Sequence, residues 1–451
     1  MAKHTHEIRD PIHVFIRVSS AEREVLDSRP FQRLRHIHQL ALTYLVYPGA
    51  THRRFEHSLG VMELATRVFD VVTQEDRLDD RLRAELTELH EDRKYWRKVL
   101  RMGALCHDIG HLPFSHAAEK ELLPDGWTHE RLSAELIRSE EMATAWKHLK
   151  IDPEDVVKVA LGPKEALKLD LDLEFSTWET ILAEIIVGDA LGVDRMDYLL
   201  RDSHHAGVAY GRFDHYRLID TMRILPAPPS EKDDRGDGRA LGEGLALGVE
   251  EGGLHSAEAL LLARYFMFSQ LYFHPIRRIY DIHLKDFLNG WLRDGMFSTE
   301  VDDHLQMTDT EVTTAMREAD RHQAHPAHTH ARRIQRREHF KTIYRRNPGD
   351  VAVNPEAGQR VYSALCNEFG AEHFRHDRYH KEGGKPDFPV KQPDGQVASS
   401  QASSSVLDRI PSLSTDYVFV DRQVAGSAAK WLQENHDEVI QPQPEEEEGD
   451  G

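Results

Sequence analysis

The residues best placed to do chemistry lie at the end of an apolar run. The stretch 99-VLRMGALCHDIGHLPFSHAAEKEL-122 begins with mostly apolar residues and predicts a buried helix that ends at His107 and Asp108. A buried polar pair must be satisfied by hydrogen bonds or by a metal ion. Adjacent residues on a helix point about 100° apart, so these two side chains can flank one cation. The pair is therefore a candidate half of a metal site.

More ionisable residues follow in the same stretch. Gly110 and Pro113 should end the helix, and this places His111, His116 and Glu119 on a loop or a following helix beside the same point. A histidine–aspartate dipeptide alone is weak evidence for a site. Several ionisable residues clustered at the end of an apolar helix are stronger evidence for a metal site than the dipeptide alone.

Two other stretches could complete a metal site. His57 opens an amphipathic helix, and Asp194, Asp197 and Asp202 interrupt an apolar helix predicted within 189–207. The alternative interpretation is a capping histidine and a solvated acidic face. Mixed histidine and carboxylate ligation without a thiolate suits a divalent ion such as Mn, Fe, Zn, Ni or Mg.

Metal ligands, histidines and arginines together fit the hydrolysis of a phosphate ester. That reaction needs a nucleophilic water, neutralisation of the phosphate oxygens and an acid for the leaving group. Arg53 and Arg54 precede His57 and could clamp an anion. The sequence contains neither GxxxxGK[ST] nor GxSxG, which excludes a P-loop and a nucleophile elbow.

Composition limits the partners and the compartment. The net charge is −20, from 57 basic and 77 acidic residues, so the overall field repels nucleic acid and anionic membranes. A local basic pocket could still bind a small anion. No apolar segment resembles a signal peptide or a membrane span, and Cys106 and Cys366 cannot form a disulfide framework of the secreted kind. We therefore expect a cytoplasmic protein without nucleic-acid or membrane partners.

Helical periodicity dominates the chain up to about residue 345. It is clearest in three segments: 59–72, 181–193 and 256–273. A strand predicted at 245–251 follows a stretch rich in Pro, Gly and charge at 226–244, which indicates an exposed loop or a hairpin. The pattern predicts a mainly α fold, with a helical core, a short β-hairpin and a smaller C-terminal α+β part.

The predicted domain organisation has three parts. They are a principal helical domain (1–345) with an insertion loop (about 226–244), a C-terminal region (346–439) with a linker-like stretch (383–405), and an acidic, disordered tail (440–451). Within the C-terminal region we expect a strand at 416–421 and a helix at 425–435. The basic, His-rich segment 321–346 predicts a solvated helix or a flexible arm, with a metal-binding tract as the alternative.

The order and flanking sequence of these motifs resemble the deoxynucleoside triphosphate triphosphohydrolases of the HD-domain superfamily, animal and bacterial. The resemblance covers about residues 8 to 290 and is carried by five stretches: 30-PFQRLRHIHQL-40, 48-PGATHRRFEHSLGV-61, 105-LCHDIGHLPFSH-116, 193-VDRMDYLLRDSHHAG-207 and 261-LLARYFMFSQLYFH-274. It implies a helical HD domain and metal-dependent hydrolysis of a dNTP by attack at the α-phosphorus. The products would be a deoxynucleoside and inorganic triphosphate.

The resemblance also implies roles position by position. The metal ligands would be His57, His107, Asp108 and Asp194. The proton-transfer residues would be His111, Glu119 and His129. The phosphate contacts would be Arg54, His116, Arg195 and Arg264, of which Arg195 replaces a lysine common in the animal enzyme. The sugar contacts would be Gln39 and Asp202 at the 3′-hydroxyl, and Leu40, Tyr198 and Tyr272 against the ring, leaving no room for a 2′-hydroxyl.

The same family has regulatory nucleotide sites at subunit interfaces, and Asp27, Gln32 and Arg35 match part of one. We expect these three residues on one helix, with Asp27 near its start and with Gln32 and Arg35 on one face. His6 falls where the animal enzyme has a lysine. The match implies a homo-oligomer, dimer or tetramer, and a guanine nucleotide activator. The alternative is an N-capping aspartate followed by a solvated helix face.

Two other functions fit the same residues. One is an HD phosphohydrolase that acts on another nucleotide or phosphorylated small molecule, and comparison of dNTPs with nucleoside monophosphates would distinguish it. The other is a non-catalytic regulatory protein that binds nucleotides and needs the metal for folding only. It predicts no turnover with any nucleotide.

Overall fold

The computed structural model describes residues 5–115, 119–227, 244–380 and 385–442, which form two compact units. Unit 1 comprises Met1–Met267, Leu292–Ala315 and Gly384–Ile410. Unit 2 comprises Phe268–Trp291, Met316–Gly383 and Pro411–Gly451. The mainly helical fold with small sheets confirms the predicted fold class.

The helices of the described residues run in chain order as follows. The first group is α1 (Ser20–Asp27), α2 (Arg29–Arg33), α3 (Arg54–Val72), α4 (Asp80–Glu85), α5 (Thr87–Glu91), α6 (Arg93–Cys106), α7 (Glu119–Leu122), α8 (His129–Arg138), α9 (Glu140–Leu149), α10 (Pro153–Lys168), α11 (Thr177–Val187), α12 (Val193–Ala206), α13 (His215–Asp220) and α14 (Leu254–Met267). The second group is α15 (Pro275–Trp291), α16 (Val301–Gln306), α17 (Asp309–Arg321), α18 (His328–Gln335), α19 (Pro348–Val353), α20 (Ala357–Phe369), α21 (Ser400–Ser403) and α22 (Ala425–Val439).

Three small sheets accompany these helices. Their strands are β1 (Thr5–Asp10), β2 (Val14–Ser19), β3 (Met222–Pro226), β4 (Leu245–Glu250), β5 (Lys341–Arg345), β6 (Phe374–His380), β7 (Pro389–Lys391), β8 (Val397–Ser399) and β9 (Ser414–Val420). Strands β1 and β2 form an antiparallel hairpin, and the other sheets have the orders β3-β4-β7-β8 and β5-β9-β6. The pairing of β3 with β4 confirms the predicted hairpin, whose residues 228–243 lie outside the described residues.

The centre of unit 1 is formed by α3, α6, α10, α11 and α12, which pack against one another. Asp92 caps the start of α6 by accepting the backbone N–H of Tyr95. The residues in the last turns of α6, up to Cys106, are buried. The chain then turns tightly at Gly110, where a Cβ atom would lie 2.3 Å from the backbone of His129 and Ser133. The start of α8 therefore packs directly against the turn that follows α6.

One predicted helix is two helices. The segment 181–193 was expected to be continuous, but α11 ends at Val187 and α12 begins at Val193. Gly188 and Gly192 form the break, since a Cβ on Gly192 would lie 2.6 Å from the carbonyl oxygen of Gly188. The break gives α12 a direction of its own.

Unit 2 contains the C-terminal α+β part. The predicted strand at 416–421 and helix at 425–435 are confirmed by β9 and α22. Helices α20 and α22 pack on the sheet through buried apolar residues, including Val361, Val418 and Leu432. The His-rich segment 321–346 is not a flexible arm, because it contributes α18 and β5.

The stretch 383–405 is not a linker from residue 385 onwards. Phe388 and Val390 are buried, and β7 pairs with β4 in parallel and with β8 in antiparallel orientation. These apolar side chains bring the segment into unit 1, so the units do not follow the expected boundary at residue 345. Of the acidic tail 440–451, residues 443–451 lie outside the described residues.

Among the residues that the structure describes, no helix has both the length and the apolar character that crossing a membrane requires.

Candidate active site

The four expected metal ligands converge from three parts of unit 1. His57 is on α3, Asp194 is on α12, and His107 and Asp108 directly follow α6. Asp194 Oδ1 lies 3.0 Å from His57 Nε2 and 3.4 Å from His107 Nε2. Asp108 Oδ2 is 3.8 Å from His57 Nε2, and its Oδ1 is 3.4 Å from His107 Nε2. Ligand atoms of His57, His107 and Asp108 all lie within 4.8 Å of one another.

Hydrogen bonds on the far side of each imidazole orient the ligand nitrogens inward. His107 Nδ1 donates to the carbonyl of Ala104 at 2.9 Å, and His57 Nδ1 donates to Asp197 Oδ2 at 2.8 Å. The lone pair of each Nε2 therefore faces the carboxylates. Among the described residues, His107 Nε2 is buried and has no hydrogen-bond partner. Two neutral imidazoles and two carboxylates are a donor set that fits a divalent cation.

The electrostatics of these ligands favour a cation. Burial opposes the charged imidazolium, but the hydrogen bonds to Asp194 and Asp197 raise the pKa of His57 to about 10. For His107 burial also opposes the charge, while Asp108 and Asp194 raise its pKa. Burial disfavours the charged form of Asp194, yet His107 and His57 lower its pKa below the usual value. The two carboxylates thus make a strongly negative site, whose charge a divalent ion would neutralise.

The expected proton-transfer residues form one cluster beside the metal ligands. His111 Nε2 lies 3.3 Å from Asp108 Oδ1, and its ring stacks on that of His129 with centroids 3.8 Å apart. His129 Nδ1 lies 2.6 Å from Glu119 Oε1, which also accepts the backbone N–H of His129. His116 lies outside the described residues, so its expected contact with phosphate stays a prediction.

The expected phosphate-binding arginines lie in two groups. Arg54 is buried, contacts Asp108 Oδ2 and donates through Nε to Ser115 Oγ at 2.8 Å. Arg195 and Arg264 both donate to the backbone carbonyl of Asp189, so their guanidinium groups lie together. Burial raises the pKa of the Tyr198 hydroxyl, and the charges of Arg195 and Arg264 oppose that shift. Tyr198 therefore faces the same cationic pair.

The sugar-contact residues are only partly brought together. Asp202 Oδ1 accepts from His52 Nε2 at 2.7 Å, and the Gln39 backbone N–H donates to the carbonyl of His52 at 3.0 Å. Among the described residues, Gln39 Oε1 is buried without a hydrogen-bond partner, and Leu40 beside it is buried. Tyr272 belongs to unit 2, so its expected place at the sugar stays a prediction.

The regulatory residues do not share one helix. Asp27 is the last residue of α1, not its start, because Ser28 and the following Pro30 begin a new helix. Gln32 and Arg35 are close as expected: Arg35 Nε donates to Gln32 Oε1 at 2.8 Å. The Arg35 guanidinium also lies 3.5 Å from the centre of the Phe55 ring.

The interpretation of the α12 carboxylates as a solvated acidic face is wrong. Asp197 is fully buried and Asp202 is 1% exposed. Asp197 binds His57, His13 and Arg201. Of these three partners, the sequence pointed only to His57. The signal available was the spacing: Asp197 is three residues after Asp194, and Arg201 is four residues after Asp197, so all three can share a helix face.

Comparisons with known proteins bear on the same residues. Residues 54–199 match the family model of the HD domain, and residues 213–361 match that of the HD associated region. An uncharacterized protein of Methanocaldococcus jannaschii is 35% identical over 278 residues, which are 62% of this chain and 48% of that protein. The deoxynucleoside triphosphate triphosphohydrolase SAMHD1 of Mus musculus is 30% identical over 300 residues, 61% of this chain and 43% of that enzyme. The matches thus span about half the length of these relatives.

A solved structure is similar over nearly the whole chain. It is that of a hypothetical protein from Aquifex aeolicus, with a TM-score of 0.75, 31% identity, and coverage of 95% of this chain and 100% of that one. The HD match begins at Arg54 and ends at Leu199, so it contains all four converging ligands. The chain therefore belongs to the HD-domain superfamily of metal-dependent phosphohydrolases.

Proposed function

We propose that the protein hydrolyses deoxynucleoside triphosphates to a deoxynucleoside and inorganic triphosphate. Two observations support this proposal. Arg54 contacts the expected metal ligand Asp108. Arg195 and Arg264 share the backbone carbonyl of Asp189, and their charges and that of Asp194 act on the pKa of Tyr198. Several guanidinium groups at one metal centre would suit a chain of phosphates better than a single phosphate. They also supply the local positive charge that a net charge of −20 lacks.

In this reaction a water oxygen attacks the α-phosphorus and the bond from phosphorus to the 5′-oxygen breaks. His57, His107, Asp108 and Asp194 would hold the divalent ion, whose identity among Mn, Fe, Zn, Ni and Mg is open. When bound, such an ion makes water more acidic and neutralises charge on the phosphate. The 5′-oxygen must receive a proton, and the His129–Glu119 pair is placed to hold one beside the ligands. Arg54, Arg195 and Arg264 would bind the triphosphate.

Preference for the deoxy sugar is proposed from a second group of residues. Among the described residues, the buried side-chain oxygen of Gln39 has no hydrogen-bond partner. The backbone N–H of Gln39 donates to the carbonyl of His52, whose imidazole binds Asp202. A 3′-hydroxyl could donate to these acceptors. Leu40 would then limit the space at the neighbouring 2′ carbon.

The test is a product assay over the four dNTPs, the four NTPs and nucleoside monophosphates, with each candidate metal. Triphosphate and orthophosphate are separated by ion-exchange chromatography, with Asp194→Ala as the inactive control. We expect triphosphate from dNTPs only. Orthophosphate or a monophosphate substrate would favour the alternative HD phosphohydrolase. No turnover with any nucleotide or metal would contradict the proposal.

A further inference from the structure

Asp197 is a buried carboxylate that binds three cationic or polar side chains at once. Its Oδ1 lies 2.7 Å from His13 Nε2 and 3.0 Å from Arg201 Nη2. Its Oδ2 lies 2.8 Å from both His57 Nδ1 and Arg201 Nε. Asp197 and Arg201 are fully buried, and His13 is 3% exposed. Such a network is stable only when each member keeps its partners.

The position of Asp197 fixes the metal-facing side of His57. An acceptor at Nδ1 holds the proton on that nitrogen, fixes the ring plane and leaves Nε2 for the metal. The space around Asp197 is tight, because a Cβ on Gly60 of α3 would lie 1.9 Å from Asp197 Oδ1.

The network extends to the turn of the β1–β2 hairpin. Arg201 Nη1 donates to Asp10 Oδ2 at 2.8 Å. Asp10 Oδ1 accepts the backbone N–H groups of Ile12 at 2.9 Å and His13 at 2.8 Å. The same carboxylate thus closes the turn and binds the arginine that holds Asp197. The turn contacts Asp197 a second time through the His13 side chain.

The backbone of this turn is held in a costly conformation. Val14 has a φ of 68°, which is a rare conformation for a β-branched residue, and its side chain is 50% exposed. Strain of this kind persists where the surroundings determine the conformation. The Val14 side chain is exposed and does not fix the conformation of the turn. The buried contacts of Asp10 and His13 fix it instead.

We infer that the turn of the β1–β2 hairpin positions the metal ligand His57, with Asp197 as the residue through which it acts. Asp10, His13, Asp197 and Arg201 are positioning residues in this scheme. A hairpin that is exposed along most of β1 and β2 is thereby joined to the buried metal centre. The inference rests on the assignment of the metal ligands and is independent of the substrate.

The experiment measures metal binding without any nucleotide. Wild type, His13→Ala, His13→Gln, Asp10→Asn and Asp197→Asn are stripped of metal and titrated with Co²⁺, recording affinity and the visible absorption spectrum at saturation. Arg17→Ala is the matched control, because Arg17 lies on the same hairpin in an exposed pair with Glu7. Circular dichroism and thermal unfolding of the metal-free proteins are measured in parallel.

We expect His13→Ala, Asp10→Asn and Asp197→Asn to weaken Co²⁺ binding about 10- to 100-fold, the range found for residues that orient metal ligands. Their spectra at saturation should differ from that of the wild type. His13→Gln keeps a donor for Asp197 and should restore part of the affinity. Arg17→Ala should bind as the wild type does.

Two results would overturn the inference. One is folded His13→Ala and Asp10→Asn proteins with wild-type affinity and an unchanged spectrum. The other is a lower melting temperature in these variants without any change in metal binding, since that would make the turn structural only. If His13→Ala does not fold, His13→Gln and Asp10→Asn decide between the same outcomes. A protein that binds Co²⁺ as expected but fails to hydrolyse dNTPs would contradict the proposed function and leave this inference standing.

Discussion

The imidazole of His111 lies flat against that of His129, with the ring centroids 3.8 Å apart, and their surroundings separate the two pKa values. Burial and the charges of Arg54 and His129 hold the pKa of His111 well below its usual value. Burial also opposes a charged His129, but Glu119 outweighs it and raises the pKa of that ring. The surroundings thus favour the neutral form of His111 and the charged form of His129, which is the relation expected between a neutral imidazole and a neighbouring general acid.

From this pair we predict that His129→Ala lowers kcat about 10²- to 10⁴-fold, the usual contribution of a general acid. Glu119→Gln should shift the pH profile. A general acid works below its pKa, and loss of Glu119 lowers the pKa of His129, so the alkaline limb of the kcat profile should move to lower pH. An unmoved alkaline limb would show that His129 does not supply the proton.

Removal of metal ligands should abolish turnover without unfolding the protein. We predict that Asp194→Ala and the double change His107→Ala with Asp108→Ala lose detectable activity while most helix content, measured by circular dichroism, survives. The chelated wild type should behave in the same way and recover when metal is returned. Near-normal activity of the double variant after chelation would contradict the assignment of the ligands.

The sugar should be selected by steric exclusion. We predict turnover of dNTPs well above that of NTPs. The difference between the two rates should be smaller in Leu40→Ala and in Tyr272→Ala, because the family resemblance assigns both side chains to the sugar. A lost hydrogen bond or methylene contact changes discrimination by only about 1–3 kcal/mol, whereas a clash excludes the substrate. The measurement is kcat/KM for dGTP and GTP in each protein. Equal values in the wild type would refute the gate.

Glu184 should make the stability of unit 1 depend on pH. Burial raises the pKa of Glu184 to about 7. The hydrogen bond that the backbone N–H of Leu247 donates to the carboxylate has the opposite effect and lowers the pKa. The folded state therefore holds the proton more tightly than the unfolded state, whose pKa is about 4.3. The resulting stabilisation is complete below the unfolded pKa and is lost as the pH rises through 7.

Glu184→Gln keeps an acceptor for Leu247 and removes this titration. We predict that its unfolding free energy, relative to the wild type, increases by on the order of 2 kcal/mol between pH 5 and pH 8. Urea unfolding at several pH values measures the difference, with the exposed Glu174→Gln as control. Parallel pH curves for the wild type and Glu184→Gln would contradict the prediction.

Regulation by a guanine nucleotide stays a prediction of the family resemblance. If Asp27, Gln32 and Arg35 bind GTP or dGTP between subunits, the nucleotide should raise both the oligomeric state and the rate of dATP hydrolysis, because a ligand that bridges subunits favours assembly. Sedimentation and dATP turnover, with and without GTP or dGTP, test this in the wild type and in Asp27→Ala. If neither the oligomeric state nor the dATP turnover of the wild type changes with the nucleotide, these residues have a structural role only.

The sequence predicted the helical class and the residues that converge at the candidate metal site, because both leave local marks. Apolar periodicity identified α3, α6 and α22, and the polar His107–Asp108 pair stood out at the end of an apolar helix. The β1–β2 hairpin was missed, since β1 is polar and mostly exposed and the alternation in β2 is short, with only Ile16 and Val18 buried. Asp197 was singled out among the carboxylates of that helix, but its contacts with His57 and His13 were missed, because its partner His13 is 184 residues away.

The late position of one segment of unit 1 has a consequence for biosynthesis. Strand β4 lies between β3 and β7, but Gly384–Ile410, which supplies β7, follows most of unit 2 along the chain. A ribosome therefore releases β4 long before its parallel neighbour exists, and pairing over so long a loop is slow. During that interval the open edge of β4 can pair with other chains. Expression temperature and chaperone supply, more than the stability of the finished protein, would then set the yield of folded enzyme.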